Sequence, residues 1–164
     1  MVGQILFIII AAFTLLMALG VAVARNLFHA ALYLVGVFFG IAALFIMLEA
    51  EFLAMAQIII YIGAIATLIV FAIMLSKGMM GKRAGAYNGQ WYFAGGAMIF
   101  FFALMSWLLT QMPFNTVSAQ VPEDAIEQIG LGFVGQYVVP FEVASVLLLV
   151  ALVGAIMLAR ERNT

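Results

Sequence analysis

The sequence predicts an all-α integral membrane protein with five transmembrane helices. Of its 164 residues, 68% are hydrophobic and only 8% are charged, whereas soluble domains carry about 25% charged residues. It contains five apolar segments, each close to or above the roughly 20 residues that cross a hydrocarbon core as a helix. A helix is the expected form because it pairs its own backbone groups, which lipid cannot do. We therefore expect a single transmembrane domain over residues 1–164.

Charged and polar residues mark the boundaries between the first three spans. We expect the five spans at about residues 2–24, 27–48, 52–76, 91–112 and 141–159. The first is treated as a true span, because residues 1–5 lack the Lys or Arg of a signal peptide. Arg25 and Asn26 end it. The Glu49-Ala50-Glu51 stretch is so short a turn that the second and third spans must be antiparallel neighbours.

The last two spans are bounded by aromatic residues and prolines. A Gly/Lys/Arg loop from Lys77 to Gln90 precedes the fourth span, which Trp91 opens as an interfacial aromatic residue would. Pro113 stops that span, and Pro140 suits the first turn of the fifth. The loop 113–139 is expected on the outer side. Within it, either a short surface helix from about Pro122 to Gly130 or a solvated loop is expected.

If successive spans cross the membrane in opposite directions, the basic residues and most of the acidic residues lie on opposite sides of it. One side receives all six basic residues: Arg25, Lys77, Lys82, Arg83, Arg160 and Arg162. The other receives six of the seven acids: Glu49, Glu51, Glu123, Asp124, Glu127 and Glu142. Positive residues favour the cytoplasmic side. This predicts an N-terminus outside and a cytoplasmic C-terminus.

Several kinds of chemistry are excluded by composition. The chain has no cysteine and one histidine, His29, so it cannot by itself supply thiolate ligands, a bis-histidine haem or a histidine metal cluster. No basic cluster indicates nucleic acid. Deep within the spans tyrosine is the only ionisable side chain, although proton carriers normally hold carboxylates, lysine or histidine there. If the chain helps to move protons, other chains must supply the buried carboxylates.

The third span is the unusual one. Its 25 residues from Phe52 to Ser76 would make a straight helix of roughly 37 Å, against a core of about 30 Å. Its middle carries Tyr61, Gly63 and Thr67, with Gln57 one turn earlier. This pattern suits a π-bulge, which often marks a functional site. A tilted helix with a packing glycine is the alternative.

Small residues and terminal carboxylates are weaker candidates. A GxxxG pair on the second span and small residues on the fifth predict close helix packing, with a partner in this chain or another: Gly36, Gly40, Ala151, Gly154 and Ala155. Glu49 and Glu51 flank a turn where carboxylates are usually solvated, and a proton-path role is the alternative. Glu142 is expected to complement the dipole of the last helix.

Three stretches carry a family resemblance. Residues 51–54, then Gln57 to Ile65 and Val70 to Leu75, resemble the third helix of the J subunit of respiratory complex I, called subunit 6 in mitochondria. Residues 135–149 resemble that family's last helix, and residues 25–32 resemble the start of its second. The resemblance spans nearly the whole chain.

The resemblance implies a core membrane subunit of a proton-translocating NADH:quinone oxidoreductase, without catalytic activity or redox centre of its own. FMN, iron–sulfur clusters, NADH and quinone are expected in the parent complex. In this family a π-bulge near the tyrosine–glycine pair, here Tyr61, Gly63 and Ala64 with Thr67, is thought to switch to α form and gate a water path. Gln57, Glu51 and Glu142 are weaker candidates for polar contacts along it.

The resemblance also implies partners and a location. The partners are the A-, H-, K- and antiporter-like N-type membrane subunits and the lipid bilayer, and the location is a bacterial inner membrane. Related assemblies share the fold and remain alternatives: a membrane hydrogenase, a ferredoxin- or coenzyme-driven dehydrogenase, or a multisubunit cation/proton antiporter. A structural module that seats other subunits is a third possibility.

Overall fold

The described residues form helices and the short turns that join or end them. The computed structural model describes residues 2–76, 91–112, 122 and 124–160, without the side chain of Trp91. Six helices lie in these residues: α1 Val2–Val23, α2 Leu27–Met47, α3 Glu51–Leu75, α4 Trp91–Gln111, α5 Ala125–Val134 and α6 Val138–Ala159. All but α5 are long and apolar enough to cross a membrane. The predicted all-α chain with five membrane-length helices is confirmed.

The ends of the spans follow local capping chemistry. Asn26, expected to end α1, is the N-cap of α2, where its Oδ1 accepts a hydrogen bond of 2.9 Å from the Phe28 N–H. This satisfies one of the backbone donors that the first turn leaves unpaired. The last span begins at Val138 rather than at about residue 141. Pro140 is therefore the third residue of α6, still within the first turn, where its missing N–H has no intrahelical partner to lose.

The short helix before the last span lies later than predicted. We expected it from about Pro122 to Gly130, but α5 covers Ala125–Val134. Gly130 does not stop it, because a helix-interior glycine costs only about 1 kcal/mol and is tolerated. The chain leaves the helix at Gly135, whose N–H donates to the Leu131 carbonyl.

Part of the sequence prediction lies outside the described residues. The loop from Lys77 to Gln90, Pro113, Glu123 and Arg162 belong to this part.

The chain forms two compact units, residues 1–118 and 119–164. In the first unit α2 packs against α1 and against the whole length of α3. The sequence predicted α2 and α3 as antiparallel neighbours, and their packing follows from the turn of three residues between them.

Glycines let α1 and α2 approach closely. A Cβ added to Gly20 of α1 would lie 2.8 Å from Cγ of Tyr33, and one added to Gly36 would lie 3.0 Å from the Met17 side chain. Gly40 is buried directly against the Thr14 side chain. Thus the GxxxG pair of α2 packs against α1 of the same chain. Without a hydrophobic driving force between helices in lipid, such close contact supplies the attraction.

The turn between α2 and α3 contains a strained residue. Glu49 has φ of 57°, the only positive φ among the described non-glycine residues. The Ala50 N–H donates to the Phe45 carbonyl and the Glu49 N–H to the Ile46 carbonyl, both at 3.0 Å. These two bonds define a Schellman motif, in which the position of Glu49 is usually glycine.

In the second unit α5 folds back on the start of α6. The Tyr137 N–H donates to the Gly132 carbonyl at 2.9 Å, and the rings of Phe133 and Phe141 lie 5.7 Å apart. These contacts fix the angle at which the chain enters its last span.

Candidate functional site

The third span is interrupted by a π-helical segment. In α3, an α-helical start (Glu51–Ala56) leads into π-helix over Gln57–Ala66, and α-helix resumes over Thr67–Leu75. A π-helix pairs each N–H with the carbonyl five residues earlier, and it usually occurs only as a single turn. Ten residues of π-helix are therefore a marked departure. Residues Gln57–Ala66 are therefore not α-helical.

The structure brings the predicted residues of this span into one segment. Gln57 is the first π residue, Tyr61, Gly63 and Ala64 lie inside, and Thr67 is the first α-helical residue after it. The sequence signals located the irregular turn, but they did not indicate that it begins at Gln57 and extends over ten residues.

The two ends of the π segment are buried and its middle is exposed. Gln57 is 6% exposed and Ala66 is 1% exposed, whereas the residues between them are half-buried or exposed. Within the chain, the segment is therefore buried at both ends and largely exposed between them, and α2 packs against it.

Gln57 is the only buried polar side chain among the described residues. No hydrogen bond of its amide is present in the described part of the chain. In that part of the chain, every completely buried side-chain nitrogen or oxygen has a hydrogen-bond partner. Because the Gln57 amide has no such partner, its nitrogen and oxygen must each retain a small accessible surface. In a hydrocarbon environment an unpaired amide costs several kcal/mol.

Tyr61 is tied to the neighbouring helix through its ring. The ring centroids of Tyr61 and Phe38 of α2 lie 5.5 Å apart, with an angle of 70° between the planes. This edge-to-face geometry is the favourable one for aromatic pairs. Phe38 was not predicted from the sequence, although its position carries a signal. It lies twelve residues before Ala50 and Tyr61 lies eleven after, so an antiparallel hairpin places the two opposite each other.

A side-chain hydrogen bond is formed at the C-terminal end of the π segment. The Thr67 hydroxyl donates to the Ile62 carbonyl, five residues earlier, at 3.2 Å. The hydroxyls of Thr14, Thr110 and Ser145 instead bond three or four residues back, at 2.7–2.8 Å, as they do in α-helices. A Cβ on Gly63 would meet only the Ile58 carbonyl, at 3.5 Å, so the backbone here is not enclosed by side chains of other described helices.

The remaining predicted residues do not converge on the segment. Glu51 is the exposed first residue of α3. Glu142 is exposed and is the fifth residue of α6. It therefore lies just beyond the first turn, although we expected it at the N-terminal end of the helix. On α6, Ala151 and Ala155 are exposed and no described side chain lies within 4 Å of a Cβ built on Gly154. Within the described residues, no group of three or more His, Cys, Asp or Glu could hold a metal ion.

Comparison with known proteins connects this geometry to a family. The family model described as NADH-ubiquinone/plastoquinone oxidoreductase chain 6 matches residues 17–158. The chain is 41% identical over 158 residues to NAD(P)H-quinone oxidoreductase chain 6 of Leptolyngbya boryana, covering 94% of this chain and 78% of that protein. It is 39% identical to the protein of that name from Synechocystis sp., covering 98% and 82%. It is also 37% identical to F(420)H(2) dehydrogenase subunit J of Methanosarcina mazei, covering 94% and 89%.

Proposed function

Because this chain belongs to the family of NADH-ubiquinone/plastoquinone oxidoreductase chain 6, we propose that it couples quinone reduction to proton translocation by gating a water path with its third span. It is a multi-pass membrane subunit of a complex I-type oxidoreductase, and other subunits of that complex are its partners. The observation that carries the gating proposal is the ten-residue π segment, held at both ends and exposed between them.

A π segment is suited to switching because its α and π forms contain nearly the same number of backbone hydrogen bonds. Each backbone N–H exchanges a carbonyl five residues back for one four residues back, so the number of hydrogen bonds is nearly unchanged. If the winding of the segment shifts by one residue, the side chains between its fixed ends rotate by about 100° around the helix axis. A two-state element with a gap of a few kcal/mol can be shifted by contacts made elsewhere in a complex. Rotation of Tyr61 and Gly63 would then open or close a path for water.

The path must be completed by other chains. In the described spans no Asp, Glu, Lys or His lies at mid-membrane depth, where proton carriers normally hold ionisable groups. We therefore assign the buried carboxylates to neighbouring membrane subunits of the A, H, K and N types. FMN, the iron–sulfur clusters and the quinone site would likewise belong to other subunits.

We place the N-terminus outside and the C-terminus in the cytoplasm of a bacterial inner membrane. This placement rests on the sorting of basic and acidic residues between the two sides of the five spans.

Membership of this family does not identify the electron donor of the complex. The relatives include subunits of NAD(P)H-quinone oxidoreductases and subunit J of an F(420)H(2) dehydrogenase. A family with members in both kinds of enzyme does not by itself identify the donor. Mild-detergent purification of the tagged chain, followed by mass spectrometry and quinone reduction with NADH or with reduced F420, would identify the donor module. Recovery with antiporter-like subunits and no redox partner would contradict the oxidoreductase assignment.

The gate is tested with Tyr61→Phe and Gly63→Val in the whole complex. Both should leave quinone reduction near normal while lowering the number of protons moved per electron in closed vesicles. Tyr33→Phe and Gly3→Val are the matched controls, since both residues lie outside the π segment and Gly3 has no described neighbour within 4 Å. Failed assembly of the Tyr61 and Gly63 variants alone would favour a purely structural role.

A further inference from the structure

The Gln57 side chain presents an unusual combination for a membrane helix. It is polar, more than nine-tenths buried and without a hydrogen bond among the described residues, yet its amide is not completely enclosed. It lies seven residues beyond Ala50, roughly 10 Å along the helix from the α2–α3 turn. At that depth the bilayer offers no partner to an amide.

Gln57 is the one polar side chain among the buried residues of α2 and α3. The other buried residues of these helices are small and apolar: Ala31, Gly40, Ala42, Ala54 and Ala66. An amide offers both a donor and an acceptor. A bound water needs two to four polar partners and some room, and Gln57 at the start of a π turn can supply the partners.

We propose that Gln57 holds water at the N-terminal end of the π segment and that this site is one end of the water path. The path itself rests on the proposed gating function, whereas the hydration of Gln57 does not. The amide stabilises water inside the membrane next to the turn whose winding changes. Glutamine suits this role because it binds water in either orientation and carries no charge to be desolvated.

The test is cysteine labelling, because the chain contains no natural cysteine. Gln57→Cys is built in the intact complex and treated with a small charged methanethiosulfonate reagent, and the modified mass is read on this subunit alone. Only a thiolate reacts, and an apolar surrounding raises the pKa of a thiol. Ala54→Cys, at a 3% exposed position on the same helix, and Leu53→Cys, at a 49% exposed position, are the matched controls.

We expect the thiol of Gln57→Cys to react at least about tenfold faster than that of Ala54→Cys or Leu53→Cys, which corresponds to about one pKa unit of difference in thiolate content. Equal rates at all three positions would overturn the proposal. Gln57→Leu supplies a second measurement: it should lower the protons moved per electron while quinone reduction continues. An unlabelled Gln57→Cys variant together with failed assembly of Gln57→Leu would mean that a polar group of a neighbouring subunit, not water, pairs with the amide.

The two proposals can fail separately. If position 57 is labelled but Tyr61→Phe and Gly63→Val pump normally, the hydrated site stands and the gate fails. If those variants lose pumping but position 57 reacts no faster than its controls, the gate stands and the hydrated site fails.

Discussion

The ring of Tyr61 packs edge-to-face against the ring of Phe38, with centroids 5.5 Å apart. This contact joins the exposed middle of the π segment to α2, whereas the ends of the segment are held by burial of Gln57 and Ala66. Since α2 also packs on α1, Phe38 connects the exposed part of α3 to the most closely packed part of the first unit. If the winding of the segment changes as we propose, Phe38 is the residue through which α2 would bias it.

Replacing Phe38 should loosen the π segment. An aromatic pair contributes about 0.5–1.5 kcal/mol beyond its buried area. Phe38→Leu should therefore raise the hydrogen-exchange rate of amides 57–67 by a factor of roughly 2 to 12 in the assembled complex. Phe39→Leu is the control, because Phe39 is half exposed on the next position of α2 and makes no ring contact with a described residue. An equal response to both substitutions would show that the Tyr61 contact has no influence on the segment.

Substitution of the α2 glycines should be damaging in a definite order. An added methyl at Gly40 meets the stiff, β-branched Thr14, whereas one at Gly36 meets the flexible Met17 side chain. Gly40→Ala should cost about 1–3 kcal/mol of local stability, and Gly36→Ala less. Hydrogen exchange of α1 and the yield of assembled complex measure this. Gly154→Ala, with open space around it in the described residues, is the control; if Gly36→Ala proved worse than Gly40→Ala, the packing argument would be wrong.

Replacing Glu49 by glycine should stabilise the α2–α3 turn. The left-handed conformation costs a residue with a Cβ about 1–2 kcal/mol, and Glu49 has φ of 57°. Glu49→Gly should slow local opening of the turn by a factor of roughly 5 to 30. Leu48→Gly, at φ of −89°, should speed it instead, because there glycine only adds freedom to the unfolded chain.

The same variant separates structure from function at this turn. If Glu49→Gly stabilises the turn but lowers proton pumping, the carboxylate has a role beyond the backbone geometry. Unchanged pumping would leave Glu49 as a solvated surface residue.

The orientation of the spans can be measured directly in the cysteine-free chain. Leu48→Cys should react with an impermeant thiol reagent added to the outer side, and Val23→Cys and Ala159→Cys with one added to the cytoplasmic side. All three positions are exposed within the chain. Reaction of Val23→Cys and Leu48→Cys from the same side would contradict an alternating topology, and reversal of all three would invert the proposed orientation.

The number of spans and most of their ends could be predicted from the sequence. These features depend on local properties, namely the hydrocarbon thickness that an apolar helix must cross and the capping groups at its ends. Tyr61, Gly63 and Thr67 also indicated where the third span is irregular, because a glycine and hydrogen-bonding side chains accommodate a wide turn. Orientation was predicted from charges alone, and Gly36 and Gly40 were predicted as a packing face without a known partner.

The structure was needed to show which helix those glycines contact and how far the π segment extends. Whether Gly40 faces α1 or another subunit depends on which close approach forms, and a GxxxG spacing is compatible with either. The π segment reaches from Gln57 to Ala66, both of these residues are buried, and α2 packs against the segment. Because a π-helix is the rarer winding, local sequence preference alone does not predict ten residues of it, and the packing of α3 on α2 exists only in the tertiary structure.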